Sequence, residues 1–185
     1  ISVYAPIARY AHPSHRVGVV GIGGLGHLAV RLLRASGCEV VAVVRDEAQA
    51  HAALQLGAHR SVLSSASTED LRRAGGLDLL LVTTTAALPW SGLIGMLAPQ
   101  GRVHLLAMAC DAMPLVPAEL IPRALTISSS PLGRPDEVLQ MLNFCARHGI
   151  APQVEHLPMR RLNDALEMLE QGSTRYRIML TPDLD

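Results

Sequence analysis

The sequence predicts an α/β fold in which helices cover both faces of a doubly wound, six-stranded parallel sheet. Short apolar runs alternate with helical patterns from the start of the chain to about residue 130. The first run leads into a glycine-rich turn, and an apolar helical pattern begins directly after that turn. Aromatic residues make up only 3% of the chain, so its core has to be aliphatic. These observations together indicate parallel strands that are joined by helical crossovers.

The alternation defines six strands and four intervening helices. The strands are predicted at residues 17–20, 40–44, 61–63, 79–82, 103–106 and 125–128. The helices are predicted at residues 25–35, 47–56, 67–73 and 88–97. Pro99-Gln100-Gly101 predicts a turn before the fifth strand.

The turn between the first strand and the first helix reads Gly21-Ile22-Gly23-Gly24-Leu25-Gly26. Gly21 lets the backbone reverse sharply, Gly23 lets it approach a ligand closely, and Gly26 lets the helix pack tightly. The free N–H groups of Gly24 and Leu25 then point at the ligand, and the positive end of the helix dipole attracts an anion. A strand before the turn and a helix after it form the context that a dinucleotide site requires. We therefore expect the turn to bind a pyrophosphate, although a glycine-rich turn without a ligand is the alternative.

The end of the second strand indicates which dinucleotide is bound. An acidic residue that grips the adenine ribose usually lies about 20 residues after the glycines, where this chain has Val44, Arg45 and Asp46. Val44 accepts no hydrogen bond, whereas Arg45 offers a planar set of donors to a 2′-phosphate. The pattern favours NADP, with NAD as second choice. A bent loop would bring Asp46 to the ribose; alternatively Arg45 and Asp46 are solvated, and Asp46 caps the next helix.

The chain after Gly133 has a different pattern. Pro135–His148 predicts a helix that starts with proline and ends at Gly149. Residues 162–171 predict a second helix, and residues 175–180 a strand. We expect residues 1–134 to form the dinucleotide-binding domain. A helix-helix-strand segment buries little surface by itself, so we expect residues 135–185 to return to a catalytic domain outside this sequence. Because the sequence begins with Ile1 rather than methionine, we expect it to be a segment of a longer chain.

Composition bears on several other classes of function. The 16 basic residues are all arginine and balance 16 acidic residues, which leaves no basic excess for nucleic acid or an anionic membrane. The missing lysine excludes Schiff-base chemistry and a P-loop lysine. The apolar runs are too short for a membrane span, and no signal peptide is visible. Cys38, Cys110 and Cys145 lie far apart, which favours buried, reduced thiols and a cytoplasmic protein.

The segment from Gly18 to Ala29 resembles the cofactor turn of zinc-dependent medium-chain alcohol dehydrogenases, in particular their cinnamyl-alcohol-dehydrogenase-like branch. Further segments across the whole chain resemble the same branch, at residues 2–6, 56–58, 97–102, 137–150 and 175–177. The resemblance implies that the turn from Gly21 to Gly26 binds the pyrophosphate and that residues 44–49 line the adenosine ribose. The chain departs from the NADP-dependent members at the ribose. Those members carry small hydroxyl residues and lysine there, whereas this chain has only Arg45 to bind a phosphate.

The resemblance also implies which residues contact the other end of the cofactor. Thr84 and Thr85 would face it after the fourth strand, and Ala107 would do so after the fifth. Pro131-Leu132-Gly133 resembles the loop whose backbone meets the nicotinamide amide. Ser2 corresponds to a threonine near the nicotinamide.

In this family a separate N-terminal domain supplies the Cys, His and Cys ligands of the catalytic zinc, and a four-cysteine lobe binds a structural zinc. None of the eight histidines here pairs with a nearby cysteine at ligand spacing. We therefore expect neither a metal ligand nor a catalytic residue in this chain. The resemblance implies a zinc-dependent parent that interconverts primary alcohols and aldehydes by hydride transfer with NADP(H), while this chain alone binds the cofactor and turns nothing over.

Two other functions stay open at this point. The chain is alternatively the cofactor domain of a zinc-free quinone or enoyl reductase, or a non-catalytic module that senses a dinucleotide. The Arg175-Tyr176-Arg177 segment and the glycine turn favour the zinc branch. By analogy with that branch, residues 125–130 would pair across a homodimer.

Overall fold

The computed structural model describes residues 1–109 and 112–183. Within these residues the chain forms two compact units, which divide between Ile150 and Ala151. Each unit is described by itself below.

The strands described in the first unit form one parallel sheet of six, in the order β3-β2-β1-β4-β5-β6. They are β1 (Arg16–Val20), β2 (Glu39–Val44), β3 (Arg60–Leu63), β4 (Leu77–Val82), β5 (Leu97–Leu105) and β6 (Thr126–Ser129). The chain runs outward from β1 to β3, crosses back, and continues from β4 to β6. This order confirms the doubly wound sheet and places its switch point between β1 and β4, where such folds bind ligands.

Helices connect the strands of this sheet. The helices of the first unit are α1 (Tyr4–Tyr10), α2 (Gly26–Ala35), α3 (Glu47–Gln55), α4 (Thr68–Arg73), α5 (Trp90–Gly95), α6 (Pro117–Leu120) and α7 (Pro135–His148). A 3₁₀ turn, Ile121–Arg123, follows α6. Adjacent residues Leu79, Leu80 and Leu81 of β4 are each at most 1% exposed. Because adjacent strand residues point to opposite faces, both faces of the sheet are covered, as expected from the continuous apolar runs.

The region around β5 differs from its prediction. The strand begins at Leu97 rather than at residue 103, and the pairing with β4 jumps from Leu77–Leu97 to Leu79–Arg102. The predicted turn is therefore a bulge inside one strand, where Gln100 has a positive φ of 65°. Helix α5 is correspondingly short and ends at Gly95.

Helix α1 was not predicted. It is seven residues long, contains a proline and has no side-chain cap within the described part of the chain. Tertiary contacts stabilise it instead: the rings of Tyr4 and Phe144 of α7 are 5.8 Å apart, and Arg9 pairs with Glu137 at 3.1 Å. Helix α7, which has its predicted bounds, thus packs within the first unit. The assignment of residues 135–185 to a catalytic domain stays a prediction.

The second unit contains β7 (Val154–Pro158), a 3₁₀ turn at Met159–Arg161, α8 (Leu162–Glu170) and β8 (Arg177–Thr181). Strands β7 and β8 pair in parallel. The predicted order of helix, helix and strand was therefore incomplete, because Val154–Pro158 forms a strand between α7 and α8. Its sequence, with a charged residue, a histidine and a final proline, carries no clear strand pattern.

The two cysteines among the described residues form no disulfide. Cys38 is buried, as predicted, whereas Cys145 is only half-buried, and both are free thiols. Cys110 lies outside the described residues. None of the helices in the described ranges combines the length and the hydropathy needed to cross a membrane.

Candidate functional site

The glycine turn lies between β1 and α2 at the switch point of the sheet, and each of its three key glycines has a different environment. Gly21 has a φ of +84°, in the left-handed region that favours glycine. A Cβ on Gly26 would lie 1.9 Å from the carbonyl oxygen of Gly21, so no side chain fits there. A Cβ on Gly23, in contrast, would meet no atom of the described chain within 4 Å apart from its two neighbours in sequence. The protein's own packing therefore requires glycine at 21 and 26, but leaves open space beside Gly23.

Thr83, which directly follows β4, fixes the shape of this turn. Its hydroxyl lies 2.9 Å from the carbonyl oxygen of Val20 and 2.7 Å from that of Gly21. The backbone N–H of Thr83 also donates to Val20, at 3.0 Å. The turn is thus tied to the neighbouring strand by a hydroxyl, a contact that sequence reasoning missed because it singled out Thr84 and Thr85.

The start of α2 differs from the starts of its neighbours. Asp46 caps α3 and Ser67 caps α4, and both helices carry acidic residues in the first turn. Helix α2 has neither a side-chain cap nor an acidic residue in its first turn, within the chain as described. His27 is fully buried beneath the turn, and its Nδ1 lies 3.0 Å from the carbonyl oxygen of Gly23. The positive end of the α2 dipole therefore meets the open space beside Gly23 without an acidic residue in the helix's own first turn.

A cavity of about 270 Å³ opens in front of the turn. It brings together the predicted site residues Gly21, Ile22, Gly23, Val44, Arg45 and Thr84. Gln49 lines the same cavity, together with Ser64 and Thr83, which were not predicted as candidates. Gln49 lies within the range expected at the ribose, whereas Ser64 follows β3 and carries no sequence signal of its own.

The polar residues after β2 already form hydrogen bonds with one another. Asp46 caps α3 by accepting a hydrogen bond from the backbone N–H of Gln49 at 2.8 Å, and it also accepts from Nε of Arg45 at 2.8 Å. These two contacts, the backbone one first, hold the pKa of Asp46 below its usual value. The Arg45 side chain is 70% exposed. The capping alternative for Asp46 is therefore observed, and Arg45 is the accessible cation at this end of the cavity.

A second cavity, of about 540 Å³, lies at the other end of the sheet edge. It brings together Ser2, Ala107, Pro131 and Leu132, all predicted at the nicotinamide end. Ser129 and Ser130 line it as well and were not predicted. A third cavity, of about 240 Å³, shares Thr84 with the first cavity and Ala107 with the second, so the three follow the carboxyl edge of the strands.

The remaining predicted residues lie beside these cavities. Gly24 and Leu25 precede α2 directly, and Gly26 is its first residue. Thr85 is exposed and lines none of the cavities described here. A Cβ on Gly133 would lie 2.6 Å from Cγ1 of Ile1, so the loop 131–133 is held against the start of the chain.

The arrangement fits a dinucleotide. The space that a Cβ of Gly23 would fill, at an uncapped helix start, suits the close approach of a diphosphate. No group of three His, Cys, Asp or Glu side chains that could hold a metal ion occurs in the described ranges. The described residues therefore fit a dinucleotide and do not fit a zinc ion.

Comparison with known proteins gives consistent results. The family model of zinc-binding dehydrogenases matches residues 24–147. The chain is 38% identical to the aldehyde reductase AdhA of a Synechocystis strain, over 98% of this chain and 54% of that protein. It is 30% identical to the NADP-dependent alcohol dehydrogenase C 1 of Mycolicibacterium smegmatis, over 97% of this chain and 52% of that protein.

The structure superposes on the cinnamyl alcohol dehydrogenase SbCAD4 of Sorghum bicolor with a TM-score of 0.90 and 30% identity, over 97% of this chain and 52% of that one. The chain thus spans about half the length of the relatives that it matches. The family match extends from the glycine turn through almost all of α7. This chain therefore belongs to the zinc-binding dehydrogenase family, and its resemblance to the medium-chain alcohol dehydrogenases is confirmed.

Proposed function

We propose that this chain binds NADP(H) and is the cofactor-binding part of an oxidoreductase that interconverts alcohols and aldehydes. The observation that carries the proposal is the open space beside Gly23 at the uncapped start of α2. Because no packing contact or positive φ requires glycine there, a ligand that approaches the backbone explains the residue. Relatives named as aldehyde reductases and alcohol dehydrogenases support the reaction class.

In this proposal the chain binds and orients the cofactor along the three cavities. The backbone N–H groups after Gly21 donate to the diphosphate, and Thr83 keeps the turn in the shape that presents them. Loop 131–133, with Ser2 and Ala107 opposite, receives the nicotinamide end. The bound nicotinamide supplies hydride transfer, and the protein supplies its position.

The reaction's other components belong to a part of the longer protein outside this sequence. We assign the substrate alcohol or aldehyde, and the zinc ligands that the family name implies, to that part. No step assigned to this chain involves a metal ion, because the described residues offer no metal site. Strand β6 lies at one end of the sheet order formed by the described residues, and we propose that its outer edge pairs with a second copy.

The preference for NADP over NAD rests on Arg45. Its side chain borders the first cavity and is 70% exposed, so its guanidinium is accessible to a 2′-phosphate. Asp46 is engaged in capping α3 and in its contact with Arg45. An acidic residue that is engaged in this way is poorly placed to accept hydrogen bonds from both ribose hydroxyls of NAD.

Titration calorimetry with NADPH and NADH on an Arg45→Ala variant tests this function. We expect NADPH binding to weaken by about 1–3 kcal/mol, the scale of a lost charge-assisted hydrogen bond, and NADH binding to change little. Arg60→Ala is the matched control, because Arg60 is also exposed, at 67%, but lines none of the cavities. Equal losses for both cofactors would contradict the assignment of Arg45, and no binding of either cofactor to the unaltered chain would contradict the function.

A further inference from the structure

A buried histidine connects the sheet to the rim of the second cavity. His104 lies on β5 and is fully buried. Its Nδ1 is 2.9 Å from Oγ of Ser128, its register partner on β6, and its Nε2 is 2.9 Å from Oγ of Ser130. Ser130 also lines the second cavity. The imidazole thus joins a buried position of the sheet to a hydroxyl at the candidate nicotinamide end.

The hydrogen-bond directions follow from the neighbouring carbonyl. The hydroxyl of Ser128 donates to the carbonyl oxygen of Val103 at 3.3 Å, so its oxygen accepts the proton of Nδ1. The Nε2 atom of a neutral imidazole protonated on Nδ1 is an acceptor only. The hydroxyl of Ser130 therefore donates to Nε2, and the free lone pairs of its oxygen are what it presents to the cavity.

The surroundings keep this imidazole neutral. The ring of Tyr10 packs against it at a centroid distance of 5.4 Å, and the guanidinium of Arg102 lies 4.3 Å from the centroid of that tyrosine ring. Burial first, and then the positive charges of Arg102 and Arg9, lower the pKa of His104 below its usual value of 6.5. At neutral pH the imidazole is therefore uncharged, which is the state that the hydrogen-bond directions require.

We propose that His104 holds the hydroxyl of Ser130 as a hydrogen-bond acceptor and that Ser130 accepts an N–H of the nicotinamide carboxamide. His104 is then a positioning residue, and Ser130 is the group that contacts the cofactor. This inference rests on the proposed function, because the ligand of the second cavity is the nicotinamide end of NADP(H). The carboxamide is then recognised by a side-chain hydroxyl in addition to the backbone of the loop 131–133.

Three ligands test the direction of the hydrogen bond at Ser130. NADP⁺ carries the carboxamide, its 3-acetylpyridine analogue replaces the NH₂ by a methyl group, and 2′-phospho-ADP-ribose lacks the ring altogether. By calorimetry, we expect Ser130→Ala to weaken NADP⁺ binding by about 2- to 12-fold, the range of a net neutral hydrogen bond. The affinities of the other two ligands should stay within error, because neither offers an N–H at this place.

Ser129→Ala is the matched control, since Ser129 lines the same cavity and is not a partner of His104 in the contacts described. We expect this variant to keep the ratio of NADP⁺ affinity to acetylpyridine-analogue affinity of the unaltered chain. A loss at Ser130→Ala that is equal for all three ligands, or absent for all three, would overturn the inference.

Two substitutions test the positioning role of His104. In His104→Asn the shorter amide stays near the place of Nδ1 and does not reach Ser130, so we expect the same selective loss as in Ser130→Ala. In His104→Gln the amide oxygen reaches the place of Nε2, which should restore the preference for the carboxamide. Equal behaviour of the Asn and Gln variants, both folded by circular dichroism, would overturn the role of His104.

The same titrations separate this inference from the proposed function. If the unaltered chain binds neither NADP⁺ nor 2′-phospho-ADP-ribose, both the proposed function and this inference fail. If it binds both ligands and Ser130→Ala changes nothing, the function stands and this inference fails.

Discussion

Replacing Gly23 by alanine separates the ligand-binding role of the glycine turn from its role in folding. The added methyl group would meet no atom of the described chain within 4 Å apart from the two neighbours of Gly23 in sequence, and Gly23 is not among the residues with positive φ. The substitution also restricts the unfolded chain, which stabilises a protein by about 0.4–1 kcal/mol where the native backbone tolerates it. We therefore expect Gly23→Ala to unfold at the same temperature as the unaltered chain or slightly above it.

Gly26→Ala is the contrasting variant in the same turn. Its methyl group would lie 1.9 Å from the carbonyl oxygen of Gly21 and 3.0 Å from Oγ1 of Thr83. Because the first of these atoms belongs to the backbone, no rotamer change relieves the contact. Overpacking of this kind costs about 1–3 kcal/mol or more, and a loss of about 3 kcal/mol lowers the melting temperature of a chain of this size by about 6–12 °C.

The cofactor affinities of the two variants provide the decisive comparison. In the proposed complex the methyl group of Gly23→Ala occupies the place of the diphosphate and moves it away from the backbone N–H groups. Losing one hydrogen bond to a charged group costs about 1.5–3 kcal/mol, which is about a 10- to 150-fold loss of affinity. Thermal unfolding gives the stability of each variant, and titration calorimetry with NADPH gives its affinity.

We expect a Gly23→Ala variant that is as stable as the unaltered chain and binds NADPH about 10- to 150-fold more weakly. Unaltered NADPH binding in this variant would show that no diphosphate lies beside Gly23. A large loss of stability in Gly23→Ala would show that the space beside it is filled in the folded protein.

Three further predictions concern the residues that hold the site. Thr83→Val is nearly isosteric and removes the hydroxyl that lies between two carbonyl oxygens of the turn, so urea unfolding should show a loss of about 1–3 kcal/mol, and an unchanged midpoint would contradict its role. Asp46→Ala removes the cap of α3, whereas Asp46→Asn keeps an acceptor. Because the pKa of Asp46 is lowered in the folded state, the stability deficit of the alanine variant at pH 7 should shrink as the pH falls below about 4. A deficit that is constant with pH would contradict this. Because the pKa of His104 is lowered in the folded state, the unfolded state binds a proton first as the pH falls below 6.5. The stability advantage of the unaltered chain over His104→Gln should therefore decrease from pH 7 to pH 5. An advantage that increases towards pH 5 would contradict the neutral imidazole.

Local signals were sufficient to predict the parallel sheet and the glycine turn. Continuous apolar runs separated by helical patterns allow few other arrangements, and the positive φ of Gly21 and the close contact at Gly26 are what such a turn requires. Helix α1 and strand β7 were missed because both depend on tertiary contacts. Helix α1 has only seven residues and no cap among the described contacts, and β7 pairs with a strand that follows it by more than 15 residues.

The residues of the candidate site were recognised from the sequence where they are adjacent in the chain, and they were missed where side chains from separate elements meet. The turn and the loop 131–133 are continuous in sequence, so their residues were recognised together. The contacts of Thr83 and the His104–Ser130 contact join positions that lie 26 to 63 residues apart, and Ser64 has no distinctive neighbours. Single serines and threonines occur throughout the chain, and only the three-dimensional arrangement of the strand ends shows which of them line a cavity.

The crystal structure of this chain with NADPH tests the central claim most directly. We expect the diphosphate beside Gly23, within about 3 Å of backbone N–H groups at the start of α2. A diphosphate bound elsewhere on the chain, with the space beside Gly23 empty or filled by protein side chains, would contradict it.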